Sequence, residues 1–74
     1  MDKYLVSAWV WNPKRKENEY KILMETKNKL EAEKRFNQIK VTNDIPQVMI
    51  ELEGDDYIDR LWTKDSTGTV YANY

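Results

Sequence analysis

Apolar residues alternate along the first stretch of the chain on both parities at once. In KYLVSAWVW, residues 3–11, Tyr4, Val6, Ala8 and Val10 fall on one side of an extended chain, and Leu5, Trp9 and Trp11 on the other. β-Branched and aromatic content predicts a strand, and apolar residues on each side predict cover on each face. Asn12-Pro13 ends the run, and KRKEN (14–18) reads as a charged loop. YKILME (20–25) resumes the β pattern, with Tyr20, Ile22 and Met24 on one side and Leu23 on the other. The two runs predict a hairpin with a long polar loop.

A helix is expected next. Asn28 suits the N-cap, with Glu31 three residues on, as in a capping box. Ala32, Phe36 and Ile39 recur at helical spacing, and Leu30 widens the stripe at its start. The stripe is narrow, so one face of the helix packs and the rest is wet. Thr42-Asn43-Asp44 reads as a turn, and Pro46 pushes Ile45 towards extended geometry. QVMIELE (47–53) alternates, with Val48, Ile50 and Leu52 on one face. Gly54-Asp55 leads into a strand over 57–64, and the turn at 65–68 into another over 69–74.

The order β-β-α-β-β-β predicts one α+β domain over 1–74, a mainly antiparallel sheet of about five strands with one helix on one face. A helix carrying the chain from strand two over strand one gives the spatial order 2-1-3-4-5. That order makes the doubly apolar first strand internal, and small Ala8 leaves room for Phe36.

Composition then narrows the chemistry. A chain of 74 residues can build one modest core, hiding about 60% of its unfolded surface. It has no cysteine and no histidine, so disulfides, thiolate ligands and the commonest general base are absent. With 12 basic and 13 acidic residues the net charge is −1, too small to set up a field that draws nucleic acid or an anionic membrane. No apolar stretch is long enough to span a bilayer, and the charged start Met1-Asp2-Lys3 has no apolar run of signal-peptide type behind it. A cytoplasmic setting without a membrane partner is expected.

Candidate sites are few. A serine nucleophile would need lysine as its base, and Ser7 and Ser66 lie in a strand and a turn. Glu51, Glu53, Asp55, Asp56 and Asp59 crowd one hairpin, but their spacing fits no EF-hand loop, and they read as solvated turn residues. Gly54 and Gly68 make no phosphate loop. No catalytic residue, metal site or cofactor is therefore expected, and the chain is read as a non-enzyme.

A basic loop, Lys14, Arg15 and Lys16, lies beside Trp9 and Trp11. Aromatics on a sheet can stack bases, so a single-stranded nucleic acid is one alternative partner. Glu17 and Glu19 directly after the triplet, and the net charge, weigh against it.

The stronger signal is surplus aromatic surface. If Val6, Ile22 and Val48 pack under the helix, Leu5, Trp9, Trp11, Leu23 and Met49 collect on the opposite face. Trp62 or Leu61 joins them, depending on the fourth strand's register. One helix cannot cover both faces, and tryptophan is enriched at interface hot spots. This face is expected to be buried by another protein or a second copy of the chain, unless the sheet coils enough to bury it alone. The anchors would be Leu5, Trp9, Trp11, Leu23, Met49 and Trp62.

The run TKNKLEAEKRFNQI followed by VTNDIPQV resembles a pattern found in short, uncharacterised proteins of bacteriophages and prophages. The likeness covers roughly residues 3–52. It implies a small protein that acts by binding a host or defence protein, inhibitors of the anti-CRISPR type being one example. It carries over no functional residue.

Overall fold

The computed structural model describes residues 2–68 and 70–72. It is an α+β fold in which an antiparallel sheet carries one helix on one face. The sheet is built from β1 (Lys3–Asn12), β2 (Glu17–Thr26), β3 (Gln47–Glu53) and β4 (Ile58–Asp65), with the helix α1 (Lys29–Gln38) between β2 and β3. The strands lie in the order β2-β1-β3-β4, so the doubly apolar β1 is internal. A three-residue strand, β5 (Val70–Ala72), pairs with the far side of β4. Thr69, Asn73 and Tyr74, also assigned to the last strand by pattern, lie outside the described residues.

The hairpin loop is shorter than the charge pattern suggests. β2 begins at Glu17, leaving a turn over residues 13–16. The Asn12 side chain accepts from the backbone N–H of Lys14 (3.0 Å) and Arg15 (3.3 Å), and Lys16 adopts a left-handed φ of 55°. An asparagine before proline thus caps the turn from within.

The helix starts as its cap predicts. Asn28 Oδ1 accepts from Leu30 N (2.9 Å) and Glu31 N (3.4 Å). The return half of the capping box is replaced by a relay. Asn28 N–H donates to Thr26 Oγ1 (3.0 Å), whose hydroxyl donates to Glu31 (2.9 Å). At the other end the Lys64 ammonium donates to the Phe36 carbonyl (2.7 Å) and sits 4.7 Å from that ring's centre. It satisfies a terminal carbonyl and the negative end of the helix dipole together. Desolvation holds the Lys64 pKa below its ordinary value.

Under the helix the core consists of Val6, Ala8, Ala32, Phe36, Ile39, Val48 and Ile50. Fully buried Ala8 and Ala32 leave room for the Phe36 ring. After the helix, Thr42 and Ile45 exchange backbone hydrogen bonds, and Asp44 O accepts from Trp11 N (2.7 Å). This connection straps the part of β1 that outruns β3.

Two bulges decide which side chains share a face. Val6 pairs with Met24 but Ser7 with Ile22, so Leu23 is an extra residue in β2. Ile50 pairs with Trp62 but Glu51 with Arg60, so Leu61 is extra in β4. Facing residues of an antiparallel pair share a face. Ile22 and Tyr20 therefore lie opposite the helix, while Met24 stays beneath it. That corrects the alternation read for residues 20–24.

Candidate functional site

The sheet face away from the helix holds a buried polar cluster where apolar surface was expected. Leu5, Ser7, Met49 and Thr63 lie in its middle, each no more than 1% exposed, although no helix covers them. Bulges increase local twist, and side chains from neighbouring strands close over the centre. Tyr20, on the outer strand, reaches across β1 to donate its hydroxyl to Glu51 Oε1 on β3. Ser7 Oγ, beneath that span, donates to the same oxygen at 2.5 Å. The Trp9 ring packs against Tyr20 at 5.7 Å and 59°. Arg60 faces Glu51 across the β3–β4 ladder, and its charge is felt by Tyr20.

Glu51 is the residue that sequence reasoning misplaced. It reads as one of five solvated hairpin acids, yet it is 5% exposed and accepts two hydrogen bonds. The signal was its parity. Glu51 alternates with Met49 and pairs with Leu5, so it lies on the apolar second face. A carboxylate buried there needs hydrogen-bond donors around it, and Ser7 and Tyr20 supply them. Ser7 is fully buried, and Ser7 and Tyr20 share one acceptor oxygen. The cluster is a tie between three strands.

Burial first, and the hydrogen bond to Glu51 second, push the Tyr20 phenol above its ordinary value of 10.0. The folded chain thus holds this proton more tightly than the unfolded chain. The resulting stability is fully present below pH 10.0 and lost as pH rises through the folded value. The wild-type melting temperature is accordingly expected to fall more steeply than that of Tyr20→Phe across buffers spanning this range. Parallel falls, followed by circular dichroism, would contradict the link.

The predicted anchors do not form one patch. Leu5 and Met49 are fully buried and out of a partner's reach. Trp62 faces the helix side, and Leu61 also packs against that core, so neither joins the opposite face. The bulge is the cause: it reverses the side on which β4 presents residues beyond Leu61. Trp9 is half-buried, and Trp11 and Leu23 remain 39% and 38% exposed. Two residues not predicted for this face join them. Tyr20 pairs with Trp9, and Ile22 lies two residues further along the same face, 39% and 48% exposed respectively. Trp11 is open because β3 begins at Gln47, opposite Trp9, and goes no further along β1. The outcome is an apolar strip along the hairpin: Trp11, Trp9, Tyr20, Ile22 and the bulged Leu23.

The basic loop caps this strip. Lys14 and Lys16 are exposed, whereas Arg15 lies 3.8 Å from Glu17 and 3.5 Å from Glu19. Asn12 Nδ2 also donates to Glu19 (2.8 Å). One of three charges is thereby largely offset, which weakens the electrostatic case for nucleic acid. At the opposite end of the sheet, Asp55, Asp56 and Asp59 are exposed as expected. A Cβ at Gly54 would run into the exposed Tyr57 ring, which would have to swing aside. Among the described residues no group of three metal-ligating side chains is placed to hold an ion, and no helix is long and apolar enough to cross a membrane.

The helix side has one groove of note. The helix lies over β1, β2 and β3, and β4 reaches it through side chains such as Lys64. Glu33, Phe36, Asn37, Ile50, Trp62 and Val70 line the groove, about 220 Å³. No protein-family model, curated protein or solved structure matches this chain.

Proposed function

We propose that this chain is a non-catalytic protein-binding module that works by occupying a surface of another protein. The observation that carries the reading is the hairpin strip. Trp11, Tyr20, Ile22 and Leu23 are each 38–48% exposed on or beside one face, with Trp9 supporting them from within. An apolar, aromatic cluster with charged neighbours is the composition of an interface centre and its rim. Lys14 and Lys16 lie where they would steer or border an acidic surface. The helix-region likeness to small phage proteins agrees with such a role, an inhibitor of a host or defence protein being the form it suggests.

The test is quantitative binding rather than capture alone. Proteins retained from the native host by the wild-type chain and by Trp11→Ala are compared, and the affinity of any differential binder is then measured. Trp11→Ala is expected to fold normally and weaken binding by about 2 kcal/mol or more. Equal affinity in the folded variant would overturn the assignment of the strip.

A further inference from the structure

We propose that two copies of this chain pair edge to edge through β2, antiparallel, with Tyr20 opposite Tyr20 of the second copy. The inference uses the backbone edge of the hairpin and stands independently of what the apolar strip binds.

Among the described residues β2 is an outermost strand of the sheet and pairs with β1 alone. One side of its backbone therefore presents unpaired N–H and C=O groups, a template for another strand. The bulge at Leu23 limits the regular stretch to Glu17–Ile22. A two-fold axis that pairs this stretch with itself runs perpendicular to the sheet and keeps the two helices on the same side. Facing residues must then lie on the same face, so every allowed register is centred on a residue that faces its own copy.

Charge selects among these registers. Centring on Glu19 sets Glu19 against itself, and centring on Lys21 sets Lys21 against itself. Centring on Asn18 sets Glu17 against Glu19 twice. Centring on Ile22 sets Lys21 against Leu23, where the bulge has already broken the alternation. Centring on Tyr20 sets Glu19 against Lys21 twice, and Asn18 against Ile22. Centring on Glu19 also joins Glu17 to Lys21, but the Tyr20 register alone joins opposite charges over the regular stretch with no like pair, and it covers Ile22, 48% exposed in the single chain. Tyr20 does not obstruct the approach, because its hydroxyl is turned inward to Glu51. Charges on an edge strand usually discourage pairing with strange strands; here they suit a second copy of the same strand.

The experiment is sedimentation equilibrium of the full chain across a wide concentration range. The wild type should show a monomer–dimer equilibrium. Lys21→Glu sets Glu against Glu twice, and Glu19→Lys sets Lys against Lys twice; each should weaken dimerisation about tenfold or more. An equimolar mixture of the two should recover a heterodimer, and the double variant Glu19→Lys/Lys21→Glu should recover the homodimer. Because Glu19 also holds Asn12 and Arg15, circular dichroism confirms the fold of each variant. A wild type that stays monomeric at all concentrations, or reversals that leave dimerisation unchanged, would overturn the proposal. So would a mixture that fails to associate. Dimerisation abolished by Trp11→Ala with Lys21→Glu silent would place the contact on the strip instead.

Discussion

Phe36→Ala should cost about 3–5 kcal/mol of folding stability, the largest loss expected from any single substitution in this chain. Phe36 is 4% exposed and fills the space that Ala8 and Ala32 leave between helix and sheet. Its ring is also the one over which the Lys64 ammonium rests. Truncation opens space beside Val6, Val48 and Ile50, which pack with it in one core cluster. A domain of this size typically holds only about 4–11 kcal/mol in total, so the variant should lose much of its margin. Each kcal/mol corresponds to roughly 4–8 °C in melting temperature for so short a chain. Thermal and urea unfolding, followed by far-ultraviolet circular dichroism, measure the loss. Phe36→Leu, which keeps most of the volume, should fall between the two. A Phe36→Ala protein that melts with the wild type would mean that the helix is not clamped to the sheet by this residue.

The second large effect is expected at Glu51. Replacement by alanine leaves Ser7 Oγ, which is fully buried, and the Tyr20 hydroxyl without their acceptor. An orphaned buried donor costs about 1–3 kcal/mol, so Glu51→Ala should lose about 2–4 kcal/mol. Glu51→Gln keeps a carbonyl oxygen in place and should lose less. Removing both ends of one bond separates the polar term from packing. Ser7→Ala in the Glu51→Ala background should cost little more than Glu51→Ala alone, since the orphan disappears with its hydroxyl. If the two substitutions are additive, the Ser7–Glu51 bond contributes nothing specific.

Under the proposed binding role of the strip, this tie also bears on function. It draws the outer strand inward through Tyr20 and holds the hairpin strip in one orientation. Losing it should therefore loosen the strip as well as the fold, which links the stability of β2 to whatever the strip contacts.

Much of the architecture could be read from local pattern. Apolar residues on both parities of residues 3–11 required β1 to be internal, and it is. Asn28 marked the start of the helix, and the spacing of Ala32, Phe36 and Ile39 marked its buried side. These signals are local because a cap or a helical stripe depends only on residues a few positions away. The candidate site was less legible. The pattern pointed to an aromatic face containing Leu5, Met49 and Trp62, whereas the fold buries the first two and turns the third towards the helix.

The physical reason lies in two single residues. Alternation predicts a face only while the ladder is unbroken, because one extra residue moves everything beyond it to the other side. Leu23 and Leu61 are those residues. Neither differs in character from its neighbours, so nothing local marks it as the bulge. Their positions follow from how β2 meets β1 and how β4 meets β3. What the amino-acid sequence determined by itself was the set of elements, the internal place of β1, and the lack of histidine and cysteine chemistry. What only the tertiary structure decided was which aromatics face outward together, and that Glu51 became the buried acceptor joining three strands.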